Sequence, residues 1–447
     1  MSSDSHQSYK HLYLPIEESA RELNARLLLV IAAISKGYRV VIGQQWLLAH
    51  NLYNLAPGVV FFKGTNRIQC NWMRIAKKYG HKVVAIDEEV TAIADERFVL
   101  KEVWPESLPL VDRFFLQGPN QYEIYERAFP EHKNRFEITG NPRFDLLRKE
   151  FTEAFLSDAM QYRERYGRYI LINTNFGYVN TAWGQPADFE RICGEVGYVD
   201  HNDPEDNKFL RDFLQLETEN LAGFKRMIRG LRDRFPEHQI ILRPHPAENV
   251  TTWRDELQGE ERIHVVFEGS AVPWMLGADF FVHNTCTTGT EAMVLGVPVA
   301  AYAPFTNWVE AIFLSNLVTP VHRDMESLFG AVAAGIADRE AFVAAMHSEK
   351  GEILRSHISG LDERYAMSGI FRGIDQLPIE PVSGSLFRNG TRLTTQVRRT
   401  DYQRKKIDLD TAELNKRITN LLKATGLGFM AKAEKIGDSL FVIAPVD

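Results

Sequence analysis

At 447 residues the chain is long enough for two or three domains with substantial cores. Its 45% hydrophobic and 25% charged residues are the balance of a folded soluble protein and argue against a disordered one. A net charge of −7 argues against a global basic field for nucleic acid, and three scattered cysteines, Cys70, Cys193 and Cys286, argue against a disulfide scaffold or a thiolate-rich zinc site.

The opening residues lack the basic and apolar regions of a secretory signal. The longest apolar stretch, at 27–34, is under half of a roughly 20-residue membrane span. A reducing cytoplasm is therefore the expected location. Strand-like runs follow at 11–14, 37–43, 59–62, 83–86, 114–116 and 136–138, with helical patterns at 17–35 and 67–79. Such alternation implies a parallel sheet with helices on both faces.

A boundary is expected near 150–168, after a charged helix ending at Gly167. The pattern then restarts with a strand at 169–172, a polar loop at 173–178 and a polar, loop-rich stretch at 177–207. A long helix at 208–234 and strands at 239–242, 263–267, 280–282 and 297–302 complete this half. Two facing Rossmann-like domains are expected, an N-terminal one at 1–165 and a C-terminal one at 166–377. Ligands in such sheets bind at the carboxyl ends of the strands, here in an interdomain cleft.

The tail, 378–447, differs. Between 385 and 424 stand ten basic residues, Arg388, Arg392, Arg398, Arg399, Arg404, Lys405, Lys406, Lys416, Arg417 and Lys423. Four acids oppose them, Asp401, Asp408, Asp410 and Glu413. The tail is expected to pack back on the first domain as a solvated helical face. Its charge also suits a peripheral contact with an anionic inner-membrane surface.

Two stretches carry chemistry. In Ile240–Glu248 a buried strand delivers Arg243 and His245 into a turn stiffened by Pro244 and Pro246, a rigid mount for an imidazole and a guanidinium facing a phosphate. A proline turn with an incidental surface histidine explains the same residues. In Phe280–Val299 a strand runs into hydroxyls, and Gly289 precedes a helix expected near Thr290. Helix-end N–H groups with Thr287 and Thr288 would form an anion site, and Glu291 would accept both hydroxyls of a ribose. A well-capped core helix is the competing account. His283 and Asn284 lie just ahead of it, either facing substrate or closing the strand end. No GK[ST] follows, so this is not a P-loop.

Strand, small polar run, G-x-E-A and G-x-P-V together resemble the nucleotide-binding half of GT-B glycosyltransferases. The R-P-H-P run resembles the subset using CMP-activated sugars, which includes sialyltransferases and Kdo transferases; CDP-glycerol polyol-phosphate transferases are similar. The segments Ile16–Leu23, Ala85–Glu89 and Thr139–Asp145 resemble one further family, the surface carbohydrate biosynthesis proteins. The likeness runs from about 10 to about 370. It implies a GT-B-like α/β fold, to which the sequence adds a C-terminal tail expected to be helical. It also implies that His245 meets the nucleotide phosphate or ribose, that Thr287 and Thr288 hold its phosphate, and that Glu291 holds the ribose; Arg243 and Gly289 join the candidate site on the residue reading above. Asn173 and Thr174 would line the cleft near the leaving group.

Transfer also needs a carboxylate as base or nucleophile. Asp87, Glu88 and Glu89 directly follow an apolar strand, and Glu17 and Glu22, with Arg21 as a possible partner, follow the first strand. Gly140–Arg143 reads as a turn, with Arg143 reaching a substrate carboxylate or Asp145. Neither HExxH nor a clear DxD motif occurs; Asp408-Leu-Asp410 sits in the basic tail, and Asn389-Gly-Thr391 is a formal glycosylation sequon. Neither metal nor resident cofactor is expected. The expectation is transfer of Kdo or another nonulosonic acid from a CMP-linked donor to a surface polysaccharide or glycolipid. A CDP-polyol phosphotransferase, a UDP-sugar transferase or a non-catalytic nucleotide-sugar-binding partner are the alternatives.

Overall fold

The computed structural model describes residues 8–446 except 363, 384, 389–390, 399–406 and 408. Of the tail residues singled out above, Asn389, Arg399, Asp401, Arg404, Lys405, Lys406 and Asp408 lie outside the described residues. Two compact units divide the chain. The first comprises residues up to Glu88, Glu102–Ala154 and His357 onward; the second comprises Glu89–Lys101 and Phe155–Ser356.

The first unit is built on a sheet whose parallel part is β1 (Ser8–Ile16), β2 (Tyr38–Gln44), β3 (Val59–Phe62), β4 (Lys82–Ile86), β5 (Arg113–Leu116) and β6 (Phe136–Ile138). These strands stand in the order β2-β1-β3-β4-β5-β6. Runs such as Val59–Phe62 are buried on both faces, as in a sheet covered by helices on each side. The helix Ser19–Ser35 covers one face with Leu27, Leu28, Val30 and Ile31.

The second unit holds an all-parallel sheet of β7 (Tyr169–Asn173), β8 (Gln239–Arg243), β9 (Ile263–Val265), β10 (Phe280–His283), β11 (Val299–Tyr302) and β12 (Val321–His322), ordered β12-β11-β10-β7-β8-β9. The order reverses at β7, the switch point where loops diverge and ligands bind in doubly wound sheets. The long helix Pro204–Arg234 buries Phe224, Met227, Ile228 and Leu231 against Ile170, Ile240 and Leu242. Asp203 starts it by accepting the Glu205 N–H at 2.9 Å, with Pro204 at the first helical position.

Three local expectations change. The stretch 177–207 contains a helix, Pro186–Val196, begun by Asp188 accepting the Gln185 N–H at 3.1 Å and ended by Gly197 at φ 85°. None of its residues is fully buried, and Phe189, Ile192, Cys193 and Val196, which share one helical face, are half-buried. The tail is not purely helical. Besides the helix Thr411–Thr425 it carries β13 (Val382–Ser383), paired to β1, and a hairpin of β14 (Met430–Gly437) and β15 (Leu440–Val446). β15 pairs antiparallel with β2, so the hairpin covers an edge that the parallel strands leave open. Gly43, at φ 151°, allows this junction, since a Cβ there would stand 2.1 Å from the Ser439 carbonyl. Finally, the segment Glu89–Lys101 leaves β4 and packs in the second unit. Arg97 and Lys101 both reach Asp206 at 2.6 Å, and the Ala94 N–H donates to the Ile312 carbonyl at 2.7 Å.

Candidate functional site

In the second unit three strands end level. Asn173 of β7 pairs with Arg243 of β8 on one side and His283 of β10 on the other. The three following loops therefore start beside one another. Two are laced together: the Asn284 side chain accepts the Asn175 N–H at 2.9 Å and donates to its carbonyl at 3.2 Å, and Asn173 Nδ2 donates to Thr288 Oγ1 at 3.1 Å. Between them Thr285 sits at φ 46°. A β-branched residue in the left-handed region is strained, and such strain persists where surrounding contacts enforce a functional loop shape.

The third loop carries His245. Its Nδ1 accepts the Ala247 N–H at 3.2 Å, so the neutral ring keeps its proton on Nε2. The loop is organised by Glu248, which is only 2% exposed. Glu248 Oε1 accepts from Thr174 Oγ1 at 2.6 Å and from the His245 N–H at 2.9 Å, while Oε2 accepts from Trp253 Nε1 at 2.8 Å and Asn180 Nδ2 at 3.4 Å. Burial pushes the Glu248 carboxyl above its usual range, and these donors act against that rise. Nearby, buried Glu217 accepts the N–H groups of Tyr178 and Val179 at 2.9 and 2.8 Å; burial raises it well above the usual value.

The helix after β10 begins at Thr287 rather than near Thr290, with Cys286 at its N-cap. Thr287, Thr288 and Gly289 thus occupy its first turn, and the Gly289 N–H turns back to the Cys286 carbonyl at 2.9 Å. Gly289 does not break the helix. It makes room for His283, whose Nε2 would lie 2.4 Å from a Cβ at that position. His283 is fully buried, 3.0 Å from Thr319 Oγ1, and burial lowers it to about 3, so the ring is neutral and internal to the unit. Glu291 follows within the same helix and is buried. The Arg243 guanidinium turns to the loop after β9. Its Nη2 donates to the Glu268 and Gly269 carbonyls at 3.2 and 2.9 Å, with its charge 5.8 Å from the Trp274 ring centroid.

In the first unit, acids gather at the carboxyl ends of the strands. Glu22 is buried and accepts the N–H groups of Glu17 and Glu18 at 3.1 and 3.3 Å, capping its own helix. Lys63, directly after β3, reaches Glu17 at 2.6 Å and Glu22 at 3.7 Å. Glu88 is buried between Asn141 Nδ2 at 3.2 Å and Arg26 at 3.5 Å, and Arg26 stands 4.7 Å from the Phe61 ring centroid. Asp87 is also buried, whereas the Glu17 side chain is 22% exposed. Glu89 is half-buried and opens the short 3-10 turn Glu89–Ala92 in the segment assigned to the second unit. Gly140–Arg143 is a turn entering the helix Pro142–Asp145. Asn141 caps it through the Arg143 N–H at 2.9 Å, and Arg143 is buried. Asp145 instead accepts the Ala366 and Met367 N–H groups at 2.8 and 2.9 Å, and burial raises its carboxyl to about 6.

Sequence reasoning missed Glu248, Glu217 and Lys63. Lys63 carried the same signal as Asp87, a charge directly after a buried strand. Glu248 stood in the R-P-H-P turn itself, and Glu217 lay among the apolar positions of the long helix. Among the described residues no group of three or more His, Cys, Asp or Glu side chains is arranged to hold a metal ion, and no helix is long and apolar enough to cross a membrane.

Two Rossmann-like α/β units of this topology define a GT-B-like fold. No family model and no curated protein sequence matches the chain. Among solved structures, a putative UDP-N-acetylglucosamine 2-epimerase from Listeria monocytogenes superposes with a TM-score of 0.50 at 12% identity, covering 83% of this chain and 96% of its own. UDP-GlcNAc 2-epimerase from Neisseria meningitidis, bound to UDP-GlcNAc, gives 0.49 at 12% identity over 83% and 100%. A variant of the wall teichoic acid polymerase TagF gives 0.49 at 10% over 83% and 89%.

Proposed function

We propose that the second unit binds a nucleotide sugar and that the protein is a glycosyltransferase acting on a surface glycan or glycolipid. The observation that supports this is the level ending of β7, β8 and β10. It gathers Asn173, Thr174, His245 and the first-turn threonines of a helix at the switch point of a parallel sheet. Helix-end amides and an Nε2–H imidazole are donors suited to a departing phosphate. Arg243, turned to two carbonyls, is a brace for the site in this reading, and Glu291 remains the ribose candidate. No metal is called on.

In transfer the acceptor hydroxyl attacks the anomeric carbon while the bond from that carbon to the phosphate oxygen breaks. The nucleotide leaves with the electron pair, and a carboxylate takes the hydroxyl proton. Glu17 is the leading base, because it is more exposed than the buried Glu22, Asp87 and Glu88 and is oriented by Lys63. Asp87, Glu88 and Glu89 are its competitors. The donor is assigned as CMP-linked from the R-P-H-P run, with Kdo or another nonulosonic acid as the sugar. A uridine nucleotide is the second reading, prompted by the Listeria structure's name.

The test is thermal stabilisation by CMP, CDP, UDP and GDP for the wild type, His245→Ala and Glu17→Gln. A ligand at about 100 times its Kd adds ~2.7 kcal/mol, a clear rise in Tm. Selective stabilisation by CMP, lost in His245→Ala and kept in Glu17→Gln, is expected, with turnover of CMP-Kdo lost in Glu17→Gln. A preference for CDP points to polyol-phosphate transfer. A preference for UDP, with turnover in the absence of any acceptor, points to epimerisation. Binding that never leads to turnover points to a non-catalytic assembly partner, and no response to any nucleotide overturns the site.

A further inference from the structure

Glu248 is a buried acid with no assigned role, and it touches both loops that flank the strand ends. We propose that Glu248 is a positioning residue for His245, resting on the donor-site reading above. Its carboxylate accepts the His245 N–H at 2.9 Å, and its own N–H returns to the His245 carbonyl at 2.8 Å, closing the turn from both sides. The same oxygen takes the Thr174 hydroxyl at 2.6 Å, so the loop after β7 and the loop after β8 share one acceptor. The second oxygen is held by the indole N–H of Trp253, 1% exposed, and by Asn180. Held this way, the turn aims the Ala247 N–H at His245 Nδ1 and leaves the imidazole proton on Nε2. Nearby, the Ala182 N–H donates to the Ala247 carbonyl at 2.7 Å and the Asn249 N–H to the Asn180 carbonyl at 2.8 Å, bracing the turn from outside.

The donors to Glu248, namely the Thr174 hydroxyl, the Trp253 indole, the Asn180 amide and the backbone N–H groups of His245 and Phe176, are all neutral. An acceptor of this kind cannot be exchanged for an amide without cost. Glutamine offers one acceptor oxygen, and its NH2 would then face the Trp253 N–H, donor against donor. Removing the indole N–H by Trp253→Phe relieves the closer of the two conflicts, the other being with Asn180 Nδ2 at 3.4 Å. A role in packing alone predicts no such rescue.

The experiment combines two readouts on the full chain. Kd values for CMP, CDP and UDP are measured for the wild type, His245→Ala, Glu248→Gln and the double variant. Histidine-ring 15N spectra at about pH 8, where an ordinary imidazole is neutral, identify His245 by the signal lost in His245→Ala. Expected are a neutral Nε2–H ring in the wild type and a mixed tautomer in Glu248→Gln. Recovery is expected in Glu248→Gln/Trp253→Phe. Affinity should fall about tenfold or more in Glu248→Gln, with no further loss when it is added to His245→Ala. Unchanged ring signals in Glu248→Gln, or losses that multiply in full, overturn the proposal. If Glu248→Gln does not fold, Thr174→Val, which deletes one donor, replaces it with the same expectations in smaller measure. If the wild type binds none of the nucleotides, the donor-site reading fails, and the ring spectra still decide whether Glu248 positions the imidazole.

Discussion

At the scale of single residues, chemistry and architecture compete for the same positions. Gly289 looked like a phosphate-loop glycine, and its contacts give a packing reason for it: the His283 ring fills the space of a Cβ. Gly289→Ala is expected to cost about 1–3 kcal/mol through overpacking, read as a lower urea midpoint at unchanged m-value. Two other histidines have an electrostatic consequence. His11 and His81 are buried beside Tyr13, and burial first, with Arg39 and Arg388 respectively adding to it, lowers both to about 4. The unfolded chain takes up these protons near the ordinary value of 6.5 and the folded chain does not. Their contribution is therefore whole above pH 6.5 and is lost as pH falls toward 4, by roughly 3 kcal/mol each. Urea unfolding at pH 7 and pH 4.5 should show a smaller acid loss for His11→Gln than for the wild type. An equal loss would assign the acid sensitivity to other groups.

At the scale of elements, conspicuous motifs turn out to be caps and braces. The Thr139–Asp145 segment reads as a turn, and it is one. Asp145, however, serves a helix more than 200 positions away in sequence, accepting the first N–H groups of Ala366–Asp375. Gly140, at φ 80°, is required there because a Cβ would meet the Ser359 carbonyl at 2.3 Å. Asp145→Ala leaves those N–H groups buried without their acceptor and should destabilise the first unit by about 1–2 kcal/mol. Asp145→Asn, which keeps one acceptor oxygen, should lie between. Chemical unfolding followed by tryptophan fluorescence measures both. Strands β1 to β11 were legible because buried parallel strands are nearly continuous apolar runs with sharp polar ends; the two-residue β12 and β13 and the tail hairpin β14–β15 were not. The Pro186–Val196 helix was not, because its one apolar face, Phe189, Ile192, Cys193 and Val196, is short and set in an otherwise polar stretch.

At the scale of the whole molecule, the order of segments in the chain is not their order in space. Glu89–Lys101 belongs to the second unit, where Phe98 packs 4.6 Å from Phe209 between ring centroids and Asp206 takes two cations. The last strand, β15, lies against β2 with Leu440, Phe441 and Ile443 buried. Truncation after Gly426 therefore strips an apolar strand from a sheet edge, and the product is expected to aggregate or to be cleaved rapidly in limited proteolysis. A monodisperse, protease-resistant truncation product would show the hairpin to be dispensable. Local pattern alone determined the alternating strands and helices, the two α/β halves and the strand ends at which polar residues collect, because periodicity and burial are written in neighbouring residues. Tertiary structure alone decided that Glu248 holds His245 and that Asp145 caps a distant helix. It also decided that His283 requires a glycine and that the tail completes the first sheet. Each of those facts is a contact between segments far apart in the chain, and only packing brings their atoms within bonding distance.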